Sequence, residues 1–134
     1  MIEVAFFVPG VPVGKGRPRF SRKSGRAYTP EKTASYESLI AYAGNEAMGG
    51  REILSGPVSM KVTATFPIPA SWSAKRKALA LYHTGRPDAD NIAKAAGDAL
   101  NGIVWRDDSQ LARISISKVY GQTPGLHVFV EALA

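Results

Sequence analysis

The sequence has no cysteine and only two histidines among its 134 residues. A disulfide framework and a thiolate metal site are therefore excluded. No apolar run reaches the roughly 18 residues that a membrane-spanning helix requires. The opening segment MIEVAFFVPG lacks the basic start of a signal peptide. We therefore expect a cytoplasmic protein that does not associate with a membrane.

Aspartate is absent everywhere except in one stretch, RPDADNIAKAAGDALNGIVWRDDSQ, at 86–110. That stretch holds all five aspartates, and the rest of the chain carries only six scattered glutamates. The protein as a whole is basic, with a formal net charge of +6 and a pI near 9.8, which predicts a polyanionic partner. Composition alone favours a soluble protein with a basic loop. Cationic segments beside one acidic cluster are also typical of an enzyme that acts on phosphates.

The length and the apolar periodicity predict one domain spanning 1–134. Its fold class is α/β or α+β, with a single mixed sheet. A Gly-, Pro- and Arg-rich stretch at about 10–28 has no helical or strand period and predicts a basic loop. A cap, a proline and an acid at Thr29-Pro30-Glu31 predict the start of the first helix, which Gly49-Gly50 ends. The other predicted elements are strands at 2–8, 58–66, 111–120 and 126–130, a basic helix or ordered loop at 71–83, and a helix at 90–101.

The helix at 90–101 has two distinct faces. Its apolar face comprises Ile92, Ala95, Ala96, Ala99 and Leu100, and the opposite stripe comprises Asp90, Lys94, Gly97, Asp98 and Asn101. Asp90 stands at the helix start, which suits a cap, and Asp88 precedes it in an extended segment. A lone Asp-x-Asp-Asn is more often a cap paired with a solvated Lys94 than a metal site.

A second acidic pair, Asp107-Asp108, changes this interpretation. Adjacent aspartates repel one another, and a turn alone rarely needs both. If the chain reverses at Asn101-Gly102, the pair can return to the helix start and place three or four carboxylates around one pocket. Such a cluster needs a cation, and oxygen ligands without Cys or His suit Mg²⁺ or Mn²⁺. Lys94 would then orient or neutralise a phosphate beside the ion.

The spacing D-x-D-N-x-x-K-x-x-x-D-A-L followed by W-x-D-D-x-Q resembles the RusA family of Holliday-junction resolvases, common in phages and prophages. Here the motif comprises Asp88, Asp90, Asn91, Lys94, Asp98, Ala99, Leu100, Trp105, Asp107, Asp108 and Gln110. The opening VPGVPVGKGRPRF and the later Lys118-Val119-Tyr120 are also similar to phage-type members.

The resemblance implies a crossover junction endodeoxyribonuclease that acts in DNA recombination and repair and requires Mg²⁺. By this resemblance Asp88, Asp90 and Asp108 are the metal-binding catalytic acids, Lys94 is the essential basic residue, and Asp107 is a further candidate ligand. Asp98 is either functional or a structural partner of Lys94. The resemblance also implies a homodimer with a mixed sheet and two main helices per subunit, and two-fold symmetry suits a four-way junction.

The basic residues are the candidate contacts to branched DNA. They are Lys15, Arg17, Arg19, Arg22 and Lys23 in the loop, then Lys75, Arg76, Lys77 and Arg86. In an extended chain Lys15, Arg17 and Arg19 share one side and can face one phosphate backbone. Phe20 and Tyr28 could stack on an unpaired base. Two other functions fit the same residues: a non-catalytic DNA-binding protein that uses the KGRPR segment, and a metal-dependent nuclease acting on other branched or single-stranded DNA.

Overall fold

Two long helices cover one face of a mixed sheet in a computed structural model, which describes residues 2–16, 19–20, 23–28 and 31–134. The strands are β1 (Glu3–Pro9), β2 (Arg19–Phe20), β3 (Ala27–Tyr28), β4 (Val58–Phe66), β5 (Leu111–Tyr120) and β6 (Gly125–Ala132). The helices are α1 (Glu31–Met48), α2 (Ala74–Leu79) and α3 (Ala89–Leu100), and a 3₁₀ turn spans Asp108–Gln110. The architecture confirms the predicted α+β fold with a mixed sheet.

The main sheet has the strand order β1-β6-β4-β5, with β4 and β5 parallel and the other neighbours antiparallel. Strand alternation turns one set of side chains toward the helices. One row across the sheet comprises Val4, Val130, Met60 and Ile114. The first three are buried, whereas Ile114 on the edge strand is 50% exposed. Ile114 therefore belongs to the row of side chains that faces the helices, but it lies outside the core because β5 is an edge strand.

Helix α1 ends as the sequence predicted. Gly49 and Gly50 adopt positive φ angles of 56° and 82°, which glycine reaches without a Cβ clash. The guanidinium of Arg51 then donates hydrogen bonds to the carbonyls of Met48 and Ala47, two acceptors left open by the end of the helix. The predicted Thr29-Pro30 start lies outside the described residues.

The buried face of α1 contains a glycine. It runs through Tyr36, Ile40, Gly44 and Met48, while Ala43 and Ala47 are only half-buried. Helix α1 is closely packed at Gly44. A Cβ there would lie 2.5 Å from Leu100 of α3, so glycine allows the two helices to approach. This contact fixes α3 beside α1.

Helix α3 buries all five apolar residues of its predicted inner face. It also buries Gly97, which the sequence placed on the polar stripe. A Cβ at Gly97 would lie 3.7 Å from Leu111, so α3 runs directly beside the start of β5 at this point. The polar side of α3 therefore faces the edge strand.

Candidate active site

A cavity of about 670 Å³ lies between α3 and the edge strand β5. Its polar lining is Asp90, Lys94, Asp98 and Asp108, and its apolar lining includes Ala93, Leu111, Ile114 and Ile116. Four of the residues singled out in the sequence therefore reach one cavity. The fold explains this, since α3 turns its polar stripe toward β5 and the 3₁₀ turn precedes β5 directly.

The carboxylates of Asp88 and Asp90, at the start of α3, make no hydrogen bond or ion pair with any residue that the structure describes. Asp88, not Asp90, occupies the N-cap position, and its side chain makes no capping hydrogen bond. Asp90 follows in the first turn and is exposed, as is Asp88. Within the described part of the chain, no ion pair joins Asp90 to Lys94, so the interpretation of Asp90 as a lysine-paired cap is wrong. Two free carboxylates at a helix N-terminus are stabilised only by the helix dipole.

The carboxylates of the second pair, Asp107 and Asp108, accept hydrogen bonds from residues of the turn that contains them. Hydrogen bonds from Ser109 lower the pKa of Asp107, first from its side chain and second from its backbone N–H, which lies 3.0 Å from the Asp107 carboxylate. Asp108 Oδ1 accepts one from Nε1 of Trp105 at 3.0 Å. Trp105 is fully buried, in agreement with its predicted place in the core. The turn thus has a structural use for both aspartates, contrary to the argument from repulsion.

Gln110 fixes this turn through both ends of its amide. Its Oε1 accepts the backbone N–H groups of Arg106 and Asp107, at 2.8 and 3.0 Å. Its Nε2 donates to the carbonyls of Leu54 and Gly56, both at 2.9 Å. Together Asp107 and Gln110 form a capping box. The spacing Asp-x-x-Gln is that of a capping box, but the role of Gln110 in this turn was not predicted from the sequence.

The acidic residues do not converge on one point. The chain reverses at Gly102, with φ of 82°, close to the predicted Asn101-Gly102 reversal. However, the turn returns beside the C-terminal half of α3, where Leu111 meets Gly97. Asp90 precedes Gly97 by seven residues, or about 10 Å of helix rise. The residues that the structure describes accordingly contain no ready-made group of three metal-ligating side chains, although Asp90, Asp98 and Asp108 line the same cavity.

The donor chemistry nevertheless fits a divalent cation. The cavity and its rim supply carboxylate oxygens from Asp88, Asp90 and Asp108, and hard oxygen donors suit Mg²⁺. Mg²⁺ usually takes one or two protein carboxylates, with water and substrate phosphates filling the other positions. The unpaired Asp88 and Asp90 meet that requirement without a third protein ligand.

Lys15 has a different setting from the one predicted for it. Its Nζ lies 2.9 Å from Glu37 of α1 and 3.3 Å from Asp98 of α3, and its side chain is 16% exposed. Partial burial opposes the charged form, but the hydrogen bonds and charges of the two carboxylates outweigh it and raise the pKa of Lys15. Asp98 therefore pairs with Lys15 instead of Lys94. This ammonium joins the two helices and is not directed at a phosphate.

The backbone around Lys15 is also attached to both helices. The N–H of Lys15 donates to the carbonyl of Asn91 in α3, and that of Gly16 donates to Thr33 Oγ1 in α1. Gly14 packs on Pro87 and Asn91, and a Cβ there would lie 2.7 Å from Pro87. Residues 14–16, at the start of the basic segment, thus cross α3 and connect it to α1; we call them the strap.

The other predicted DNA contacts are exposed wherever the structure describes them. They are Lys23, Lys75, Arg76, Lys77 and Arg86. Arg17 and Arg22 lie outside the described residues, and so do the side chains of Arg19, Phe20 and Tyr28. The backbone of Arg19 pairs with Tyr28 in the β2–β3 ladder. Their contacts with DNA remain predictions.

Comparison with known proteins agrees with the motif. The profile of the family described as endodeoxyribonuclease RusA matches residues 9–131, nearly the whole chain. An uncharacterized protein of Bacillus subtilis (strain 168), YqaN, is 34% identical over 139 aligned positions, which cover 98% of this chain and 97% of the relative. Among the described residues no helix is long and apolar enough to cross a membrane. The family match covers both the acidic segment and the cavity that it lines, and the chain belongs to the RusA family of endodeoxyribonucleases.

Proposed function

We propose that this protein is a Mg²⁺-dependent, structure-specific endodeoxyribonuclease that resolves Holliday junctions in recombination and repair. The observation that carries the proposal is the pair of uncommitted carboxylates, Asp88 and Asp90, at the start of α3. Lys94 lies on the same helix one turn further on and lines the cavity with Asp90 and Asp108. The RusA family match supplies the reaction class.

Each residue has a distinct part in the proposed reaction. Asp88 and Asp90 would hold the cation, with Asp108 approaching from the far end of the cavity once DNA is bound. A bound divalent cation supplies positive charge that stabilises the phosphate during hydrolysis. The Lys94 ammonium, exposed on the cavity wall, would donate to a non-bridging phosphate oxygen and offset its developing charge. Trp105 would hold the Asp108 carboxylate in one orientation through its indole N–H.

The test is cleavage of a synthetic four-way junction in Mg²⁺, with a linear duplex of the same sequence as control. We expect paired nicks in the junction, an intact duplex, and no cleavage in EDTA. Parallel reactions in Mn²⁺ establish which ion the site accepts. Binding without cleavage in either ion would favour the non-catalytic DNA-binding alternative. If flaps or single strands were cleaved in preference to the junction, they would be the substrate of the enzyme instead.

Lys94→Ala separates chemistry from affinity. We expect the single-turnover cleavage rate to fall by roughly 100-fold, the typical effect of removing one transition-state donor, with the junction Kd little changed. Lys61→Ala is the matched control, because Lys61 is an exposed lysine on β4, away from α3. A loss of affinity alone in Lys94→Ala would make the lysine a backbone contact.

We also propose the homodimer that the resemblance implies. Strand β5 is an edge of the main sheet, a position that favours association with another chain. An isologous dimer would place two active sites on opposed strands of one junction. The molar mass in solution tests it. A wild-type monomer at the concentrations that cleave DNA would contradict it.

A further inference from the structure

A second cavity, of about 460 Å³, takes no part in the proposed hydrolysis. It lies between α2, the segment that follows α2, and the end of β5. The residues that matter in its lining are Trp72, Lys75, Arg76, Leu79, Tyr82 and Tyr120. Pockets of this size are large enough for a small organic group.

The aromatic wall of this cavity is preassembled. The Arg76 guanidinium carbon lies 3.8 Å from the centre of the Trp72 ring, a cation–π contact. The rings of Trp72 and Tyr120 meet edge to face with centroids 5.2 Å apart. Tyr120 in turn contacts His83, which stacks on the buried Phe66 at 3.7 Å. The wall is therefore anchored in the core and needs no rearrangement to accept a flat ligand.

The rim of the cavity exposes large apolar side chains. Leu79 is 74% exposed, Leu81 is 61% exposed and Tyr82 is 66% exposed. Adjacent exposed groups of this kind mark binding surfaces more often than scattered single residues do. The Tyr82 backbone forms a bridge with Val119 of β5, which fixes the point from which the ring projects.

The charge around the cavity selects the class of ligand. Residues 67–87 contain no aspartate or glutamate but include Lys75, Arg76, Lys77 and Arg86. A flat apolar slot bounded by cations fits a nucleotide, because aromatic faces stack on the base and cations bind the phosphate. An apolar peptide would leave these charges unused.

The cavity is also close to the start of α3. Tyr82 precedes Asp88 by six residues, a span of at most about 22 Å of extended chain. The Lys118 ammonium donates to the carbonyl of Gly85 at 2.6 Å and holds this connecting segment against β5. At roughly 3.4 Å per phosphate, the separation corresponds to about six nucleotides or fewer along one strand.

We infer that this cavity binds an unpaired nucleobase of the same DNA that the active site cuts. The base would stack against Tyr82 and the Trp72–Arg76 pair, and Lys75 would contact its phosphate. The inference rests on the proposed function and adds a substrate contact to it: recognition of a strand that has left the double helix, beside the cation site.

The experiment compares two oligonucleotides with equal charge. One is an oligothymidylate of about twelve nucleotides, a length typical of single-strand binding sites. The other has the same backbone with abasic residues in its central half. Their affinities, measured by fluorescence anisotropy at one salt concentration, should differ by roughly 5- to 100-fold in favour of the oligothymidylate. Equal affinities would overturn the inference, because phosphate contacts alone would then explain binding.

Variants test whether the preference for bases arises at this cavity. Tyr82→Ala and Arg76→Gln should each reduce the preference for bases, whereas Tyr42→Ala, at another tyrosine of similar exposure, should retain it. Both Tyr82 and Arg76 are exposed, so the fold should survive, and circular dichroism checks this. An undiminished preference in Tyr82→Ala and Arg76→Gln would place base recognition elsewhere and overturn the inference.

Cleavage of a fully paired junction by the same preparations separates the two proposals. Junction cleavage without a base preference would leave the nuclease function standing and overturn only the cavity. A base preference lost in Tyr82→Ala, without cleavage by the wild type, would support the cavity and contradict the nuclease.

Discussion

Two pairs of aspartates stand at the two ends of α3 and differ in what their carboxylates bind. Asp107 and Asp108 accept hydrogen bonds from Ser109 and Trp105, so the turn itself uses them. Asp88 and Asp90 have no such partner among the described residues, although they occupy the helix start where capping is most favourable. Carboxylates left unpaired at that position are available to a ligand. The comparison therefore separates an acidic pair with a structural use from a pair that we propose to be functional, within a single motif.

The largest expected effect follows from Asp90→Asn. Cleavage should fall by at least about 100-fold, because the cation loses a charged ligand and stabilises the phosphate less. The melting temperature should fall only slightly, since the variant loses the interaction of the carboxylate with the helix dipole but no hydrogen bond to a described residue. Single-turnover nicking and thermal unfolding measure the two quantities.

Junction binding by Asp90→Asn should persist or tighten, because repulsion of phosphate decreases. Glu46→Gln, a neutralised exposed carboxylate on α1, controls for net charge. Cleavage at the wild-type rate in Asp90→Asn would contradict the proposal that Asp90 holds the cation.

Gln110→Ala tests the structural half of the comparison. The variant removes four hydrogen bonds, two of them to carbonyls of the segment before β4, and the free energy of unfolding should fall by about 2 kcal/mol. Cleavage should fall less than in Asp90→Asn. Urea denaturation checks the stability, with the exposed Gln122→Ala as control. An unchanged stability together with abolished cleavage would make the turn part of the catalytic machinery.

Lys15→Met tests the strap. The variant leaves Glu37 and Asp98 facing each other without a cation, so the free energy of unfolding should fall by about 1 kcal/mol at neutral pH. Because the pKa of Lys15 is raised above 10.5 in the folded state, this stabilisation is complete below that pH and is lost as the pH rises through the folded pKa. The difference from wild type, followed by urea denaturation, should therefore shrink above pH 10.5.

The same variant distinguishes the strap from a DNA-binding role. If Lys15 binds a phosphate, the salt slope of junction affinity should flatten by about 0.9 for each phosphate that the protein no longer neutralises. We expect an unchanged slope, because the Lys15 ammonium is already paired. A flattened slope in Lys15→Met, but not in Lys61→Met, would restore the role that the sequence suggested.

The smallest effect is expected from Asp107→Asn. The pKa of Asp107 is lowered by the hydrogen bond from Ser109, so its stabilisation is present above pH 3.8 and is lost as the pH falls through the folded pKa. Wild type should therefore lose a small advantage over the variant in acid, as followed by thermal unfolding between about pH 2 and 6. A constant difference over that range would mean that the carboxylate is not the stabilising group.

The sequence predicted the elements better than the contacts between them. The inner face of α3 was correct because its apolar residues recur at helical spacing. Gly44 and Gly97 were missed because helix periodicity does not reveal close approach by a neighbouring element. The exposure of Ile114 was not predicted, because alternation identifies the face of a strand but not whether the strand lies at an edge.

Site residues show the same limit. Local spacing located Asp90 and Lys94 on one helix with Asp88 just before it, and the structure agrees. The pairing of Lys15 with Asp98 joins residues 83 positions apart and leaves no local signal. Asp90 and Asp108 do line one cavity, but the sequence identified the reversal at Gly102 without showing to which end of α3 the chain returns.

The strand order determines when the main sheet can form during synthesis. Strand β6 lies between β1 and β4, yet it follows both in the chain. A chain that emerges from the ribosome N-terminus first therefore leaves β1 without its sheet neighbour until β6 appears. The parallel pairing of β4 with β5 must also wait for the whole 67–110 connection, which carries every aspartate. An unfinished chain therefore cannot assemble the sheet against which the acidic segment packs.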